Sequence, residues 1–218
     1  MPGYRIKYST LSIGAEDYHL CSLRDNQQFA DRDGAAERAG ISDATWPLFG
    51  QLWPSGEVLA CSMSGYPAGG LRILELGCGL GLASLVLQRH GADITASDYH
   101  PLAGEFLARN AALNQLAPIA YRSCDWAREY PELGRFDLII GSDLLYERDH
   151  PEQLAGFIAR HSQAAAEVLI VDPRRGNTAR FNRAMLDFAY QAQADRGDAH
   201  TCADQPFSGR ILRYTRTP

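Results

Sequence analysis

Apolar positions along this chain change their spacing from one stretch to the next, and the changes lay out a series of strands and helices. Residues 4–8 alternate apolar and polar side chains and residues 18–23 do so in part, which predicts a β-hairpin with its turn in 14–17. Residues 25–40 lose the pattern and read as a surface connection around a helix-compatible 35–38. Pro54 then opens a helix with Val58, Leu59 and Met63 on its apolar face, and Trp46, Phe49 and Trp53 crowd just before it. A short run rich in branched side chains, 71–76, has the length of a buried strand. Gly77, Gly79 and Gly81 follow at once. Leu82, Leu85, Val86 and Leu87 keep helical spacing up to a glycine cap at Gly91, and a second strand over 92–97 ends on Asp98.

The alternation continues. Pro101 opens a helix to about residue 116, with Asn110 inside it, and a strand over 119–124 runs into Asp125 and Trp126. Residues 136–142 form a central strand that ends at Asp143-Leu144-Leu145-Tyr146, and a helix follows Asp149-His150-Pro151 to about residue 166. A strand over 168–172 leads into a basic loop with Arg174 and Arg175, then a helix over 178–194 carrying Phe181, Met185, Phe188 and Ala189 inward. Two late strands are expected, around 201–202 and over 211–214. Strands alternating with helical stretches of 10 to 15 residues predict a doubly wound α/β sheet. Ligands of such sheets sit beyond the carboxyl ends of the strands, where Asp98, Asp125 and Asp143 would gather on one edge.

Length and composition narrow the setting. At 218 residues the chain suits one domain over 45–218 with an N-terminal extension over 1–44. A net charge of −5 and a pI near 5.7 argue against a broad nucleic-acid or anionic-membrane surface, both of which call for clustered positive charge. No secretory leader or membrane-length apolar run is read in the sequence, so a cytoplasmic protein is expected, and a monomer is expected as well. The five cysteines are scattered without a C-x-x-C pair and the histidines have no ligand spacing, so neither a disulfide framework nor a metal site is indicated.

The glycine turn carries the chemistry. Strand, turn, helix, strand and terminal acid make a βαβ unit that can hold a polar ligand at the turn and helix N-terminus, with the acid placed for a ribose diol. A dinucleotide fingerprint needs G-x-G-x-x-G, and Leu82 stands where its third glycine belongs. The sequence E-L-G-C-G-L-G over 75–81 instead resembles the first motif of the S-adenosylmethionine (SAM)-dependent methyltransferases of the seven-stranded, Rossmann-like class. That resemblance implies a mostly parallel sheet whose last strand is antiparallel. It also implies cofactor contacts from Glu75, Gly77, Cys78, Gly79, Gly81 and Ser142, with the glycines beside the methionine end. Asp98 would bind both ribose hydroxyls, Asp125 would accept the adenine amine, and Trp126 would cover the ring.

Two further features resemble the lysine methyltransferase branch of that class. L-W-P-x-G at 52–56 opens a helix just before the glycine motif, which implies that Trp53 lies against the cofactor, with Trp46 in the core or at the rim. D-x-x-Y after the strand over 136–142 implies that Asp143 and Tyr146 hold the acceptor amine. The adenine- and glutamine-modifying branches carry N-P-P-Y at that place. A protein presenting a lysine is therefore the expected partner, with SAM as cofactor and no metal, since methyl transfer from a sulfonium is catalysed largely by positioning. The alternatives are an N-methyltransferase of nicotinamide-like small molecules and a SAM-binding interaction protein without turnover.

Overall fold

The computed structural model describes residues 3–193 and 207–218. An antiparallel hairpin, β1 (Ile6–Ile13) and β2 (Glu16–Leu23), and a single helical turn, α1 (Ala35–Arg38), precede the main body. There the helices α2 (Pro54–Ser64), α3 (Leu82–Arg89), α4 (Ala103–Leu113), α5 (His150–His161) and α6 (Thr178–Asp187) alternate with strands. The strands are β3 (Arg72–Leu76), β4 (Asp93–Asp98), β5 (Ala120–Ser123), β6 (Phe136–Ser142), β7 (Ser162–Asp172), β8 (Gln191–Ala192) and β9 (Arg210–Arg216). They form one seven-stranded sheet in the order β5-β4-β3-β6-β7-β9-β8. Neighbours from β5 to β7 are parallel, and β9 runs antiparallel to both β7 and β8. This is the mostly parallel, doubly wound sheet expected from the sequence.

Both faces of the sheet are covered, as parallel sheets require. On one face α2 and α3 bury Val58, Leu59, Met63, Leu85 and Val86. On the other, α5 and α6 bury Leu154, Phe157, Ile158, Phe181 and Met185. Each such side chain contributes about 1.5–3 kcal/mol by leaving water. The chain leaves β3 for β4 on one side and later returns to β6 on the other, so the carboxyl ends of β3 and β6 flank the crevice where a doubly wound sheet binds its ligand.

The hairpin docks on α4 through two asparagines. The Cys21 amide donates to Asn110 Oδ1 at 2.7 Å, and the His19 amide donates to Asn114 Oδ1 at 2.8 Å. Asn110 Nδ2 also donates to the Leu80 carbonyl at 3.0 Å, which fastens the glycine turn to the same helix.

Several boundaries differ from expectation. The hairpin strands are longer, leaving only Gly14 and Ala15 between them, with Gly14 at φ +62°. The helix expected to reach residue 166 ends at His161, and β7 begins at Ser162. Alanine favours a helix by only a few tenths of a kcal/mol over most residues, and here sheet pairing wins, with Ser162 opposite Phe136 and Ala166 opposite Arg216. The helix expected over 178–194 stops at Asp187, because Ala189 turns to φ +63° and lets β8 pair with β9. Phe188 and Ala189 consequently face solvent instead of the core, and Tyr190 takes the buried place. The strand expected around 201–202 lies outside the described residues, and β8 is the seventh strand.

Candidate active site

A pocket of about 660 Å³ opens beyond the carboxyl ends of β3, β4 and β6, within the size range of small-molecule sites. Trp53, Glu75, Gly77, Cys78, Gly79, Gly81, Asp98, Asp125, Trp126, Ser142, Asp143 and Tyr146 all line it. Every candidate from the sequence thus reaches one cavity, and their neighbours give its two ends different characters.

At the glycine end the backbone leaves no room for side chains. Gly77, Gly79 and Gly81 all have positive φ, and a Cβ on Gly79 would lie 2.7 Å from the Phe49 carbonyl oxygen. A Cβ on Gly81 would lie 2.3 Å from Leu107 Cδ1. The turn is therefore glycine-rich first because protein packs against it.

Asp98, at the tip of β4, accepts the Gly79 amide on Oδ2 and the His100 amide on Oδ1, both at 2.8 Å. Burial pushes its carboxyl up, and these two amides pull it back. Each oxygen keeps a lone pair for a ligand hydroxyl. Glu75 lies beneath the turn, where its Oε2 accepts the Ser84 amide at 2.9 Å and the Ser84 hydroxyl. Burial raises it to about 7, and the nearby Asp98 charge adds to the rise. The N-terminal turn of α3 is thus partly satisfied from inside by Glu75, so its donors are not all free for a ligand, as the βαβ pattern alone suggested.

Phe49 and Trp46 complete this end. Trp46 is fully buried, resolving its place to the core, and packs edge-on against Phe49. The Phe49 and His100 rings stack at 3.7 Å and 10°. The Leu102 amide donates to His100 Nδ1, and burial holds the imidazole down at about 3, so the ring is neutral. Trp53 caps the start of α2 and donates from Nε1 to the Leu48 carbonyl at 2.9 Å, leaving the indole on the pocket wall.

Asp125 and Trp126 form the side wall. Asp125 Oδ1 accepts the Ala127 amide at 2.9 Å and Oδ2 pairs with Arg128 at 3.3 Å, so the carboxylate organises its own turn while facing the cavity. Trp126 packs edge-on against His150 with ring centres 5.1 Å apart.

The opposite end is open and is held by side chains. Asp143 continues β6 by one residue, its amide donating to the Val171 carbonyl at 2.8 Å, in a left-handed conformation at φ +54°. Such a conformation is uncommon for a residue with a side chain and is frequent at functional turns. Arg175 meets its carboxylate as a fork, with Nε to Oδ1 at 2.8 Å and Nη2 to Oδ2 at 2.6 Å. Tyr146 stands at the mouth, its ring about half exposed and edge-on to His150 at 4.7 Å. Desolvation, followed by the carboxylates of Asp98, Glu147 and Asp143, pushes its hydroxyl up to about 12. It is a neutral phenol at physiological pH. Burial lowers the pKa of His150, and its Nδ1 lies 2.9 Å from the Leu144 carbonyl, which selects the tautomer with the proton on Nδ1. Asn177 Nδ2 donates to the Leu145 carbonyl at 2.8 Å and fixes the same turn.

Residues 46–188 match the model of the lysine methyltransferase family. The chain belongs to that family. It is 31% identical over 137 residues to the electron transfer flavoprotein β subunit lysine methyltransferase of Xenopus laevis, an alignment covering 61% of this chain and 54% of that one. To the calmodulin-lysine N-methyltransferase of Arabidopsis thaliana it is 32% identical over 138 residues, covering 58% and 45%. The chain spans about half the length of the curated relatives it matches. Among solved structures, the ribosomal protein L11 methylase of Lactobacillus delbrueckii subsp. bulgaricus superposes with a TM-score of 0.59 at 17% identity, covering 75% of this chain and 79% of that one. At that identity the likeness shows the fold alone.

Phe49, His100, His150 and Arg175 are site residues that the sequence reading did not assign. Arg175 was visible only as part of a basic loop, and nothing in its spacing points to Asp143. Among the described residues no group of His, Cys, Asp and Glu could hold a metal ion, and no helix is long and apolar enough to cross a membrane.

Proposed function

We propose that this protein transfers a methyl group from SAM to the side-chain amine of a lysine in a protein substrate. The observation that carries this reading is the single pocket joining the glycine turn and Asp98 at one end to Asp143 and Tyr146 at the other, within the stretch that matches the family. SAM supplies an electrophilic methyl on a sulfonium. The residues present suit it: Asp98 keeps lone pairs for a ribose diol, Trp53 and Trp126 offer flat walls, and the glycine turn lets a ligand approach its backbone.

The chain's own part is positioning and charge. A lysine side chain, with a reference pKa of about 10.4, must arrive without its extra proton. With the cofactor bound, its lone pair would form the N–C bond as the S–C bond breaks, with a neutral thioether as leaving group and the extra proton on nitrogen passing to solvent. Asp143 is placed to accept a hydrogen bond from that nitrogen as its charge grows, which favours the transition state over the ground state. Neutral Tyr146 and His150 pack edge-on as one aromatic wall at the mouth, a surface on which the aliphatic stem of a lysine can lie. The half-length match leaves the substrate open, and electron transfer flavoprotein β subunit and calmodulin, named for the relatives, are the first acceptors to try.

The test is incubation of the purified protein with labelled SAM and those two proteins, a lysine-rich protein extract, and nicotinamide or other pyridines. Label on protein lysines, located by mass spectrometry, supports the reading. Label confined to the pyridines would replace it with the small-molecule alternative, and SAM binding without any transfer would leave a cofactor-binding interaction protein.

A further inference from the structure

The fork between Arg175 and Asp143 has a meaning for the protonation state of the acceptor. An unpaired carboxylate at the end of a partly closed pocket would attract an alkylammonium ion strongly and hold it in the unreactive form, because an opposite charge nearby favours the charged state of a titrating group. Here the carboxylate is only 12% exposed and both oxygens are taken by one guanidinium, at 2.8 and 2.6 Å. Bidentate contact of this kind is the strongest arrangement open to the two groups and is geometrically fixed. It is anchored from the backbone too, since the Arg175 amide lies 3.3 Å from Asp172 Oδ1. The pair carries no net charge, yet each carboxylate oxygen keeps a second lone pair, and Asp143 lines the cavity.

We propose that Arg175 is a positioning residue of the acceptor site: by pairing with Asp143 it makes the pocket select the neutral amine over the ammonium ion while keeping the carboxylate oriented as a hydrogen-bond acceptor. This rests on the lysine reading and adds to it a residue that sets which form of the acceptor binds. The other charged and titratable groups facing this end are Glu147, Tyr146 and His150 at the mouth, Asp98 and Glu75 across the pocket, and the Asp172 and Arg210 pair behind the loop. All of them are common to the variants below, so a difference between variants isolates Arg175.

The experiment loads the 218-residue chain with S-adenosylhomocysteine and titrates it with n-butylamine, a lysine side chain without its backbone, from about pH 7 to about pH 10.5. In the wild type the amine should bind at least tenfold more tightly at the top of that range than at the bottom, following the growing neutral fraction. In Arg175→Gln the dependence should flatten or reverse, with the ammonium ion now bound at pH 7. Arg175→Lys, which keeps the charge and loses the fork, should return the wild-type direction with weaker binding. A purely structural role for Arg175 would lower affinity at every pH and leave the slope alone. Superimposable pH slopes for wild type and Arg175→Gln would overturn the inference while leaving lysine methylation standing. Butylamine binding to neither would overturn the lysine reading and this inference together, and unaltered S-adenosylhomocysteine affinity in all three proteins checks that the cofactor end is intact.

Discussion

The two ends of the pocket hold their acids in opposite ways. At the glycine end, Asp98 is met by the backbone amides of Gly79 and His100, and Glu75 by the amide and hydroxyl of Ser84, all from the βαβ unit or the turn just after it. At the mouth, Asp143 is met by a side chain from a different loop, and the turn around it is pinned by Asn177 and His150. An acid bonded by backbone is part of the fold, so altering it costs stability and ligand together. The guanidinium that meets Asp143 is 43% exposed and can return to water, so this acid can be altered with the fold left standing. The first arrangement suits a ligand that must always be held alike, the second a partner whose form has to be discriminated.

The substitution that breaks this contrast most severely is Gly79→Val. The branched side chain would meet the Phe49 carbonyl and stand at φ +52°, so overpacking and backbone strain together should cost about 3 kcal/mol or more. The resemblance implied that this glycine lies beside the methionine end of the cofactor; the added side chain meets the protein itself. Thermal melting should show the loss without any ligand, and a variant that melts like the wild type while failing to bind SAM would return the glycine to a purely ligand-facing role.

Asp143→Asn should behave in the opposite manner. We expect kcat for methyl transfer to fall by roughly 10²-fold, the scale of losing one key electrostatic contact, with the melting temperature and SAM affinity nearly unchanged. Calorimetry and steady-state kinetics on the same preparation settle it; equal losses of SAM binding and turnover would move Asp143 to the cofactor's side of the pocket.

Asp98→Ala should weaken SAM binding by about 1.5–3 kcal/mol, as expected for hydrogen bonds to a charged group. Because the Gly79 and His100 amides lose their acceptor as well, the cofactor-free protein should also melt earlier. Weaker binding with an unchanged melt would mean that the turn keeps its shape without the carboxylate.

The smallest effect expected is one of pH. An unfolded histidine takes up a proton near pH ~6.5, whereas folded His100 refuses it until about 3. The unfolded chain therefore binds more protons in between, and this contribution to stability is lost as pH falls. Glu75 works the other way, since its raised carboxyl protonates earlier in the folded state and favours folding as pH falls from about 7. The difference between wild type and His100→Phe isolates the first: denaturant unfolding at pH 7 and pH 5 should show the wild type losing of the order of 1–2 kcal/mol more. An equal loss in both proteins would mean that His100 titrates normally.

What the sequence made legible follows the same division. The βαβ unit could be read because its glycines, helix and terminal acid lie within 28 consecutive residues and each has a local conformational reason. The mouth could be read only as far as Asp143 and Tyr146, through likeness to a motif. Its partner Arg175 is 32 residues away on a loop whose path depends on how β7 ends, and such a contact leaves no periodic trace. The contact between Phe49 and Gly79 was hidden for the same reason. The helices expected beyond the ends of α5 and α6 fail where helix-favouring alanines lie in strands whose pairing partners are far away in the chain, in β6 and β9.

The asparagines of α4 have a consequence beyond joining two elements. Asn110 and Asn114 accept the outward amides of Cys21 and His19, and Asn114 Nδ2 donates back to the His19 carbonyl at 2.7 Å, so a helix presents to β2 the donor and acceptor sequence of a neighbouring strand. That side of the hairpin is thereby closed to recruitment by another extended chain, a hazard of exposed sheet edges in crowded solutions. Replacing both asparagines with leucine would keep much of the bulk and unseal the edge, turning a docking contact into a seed for aggregation.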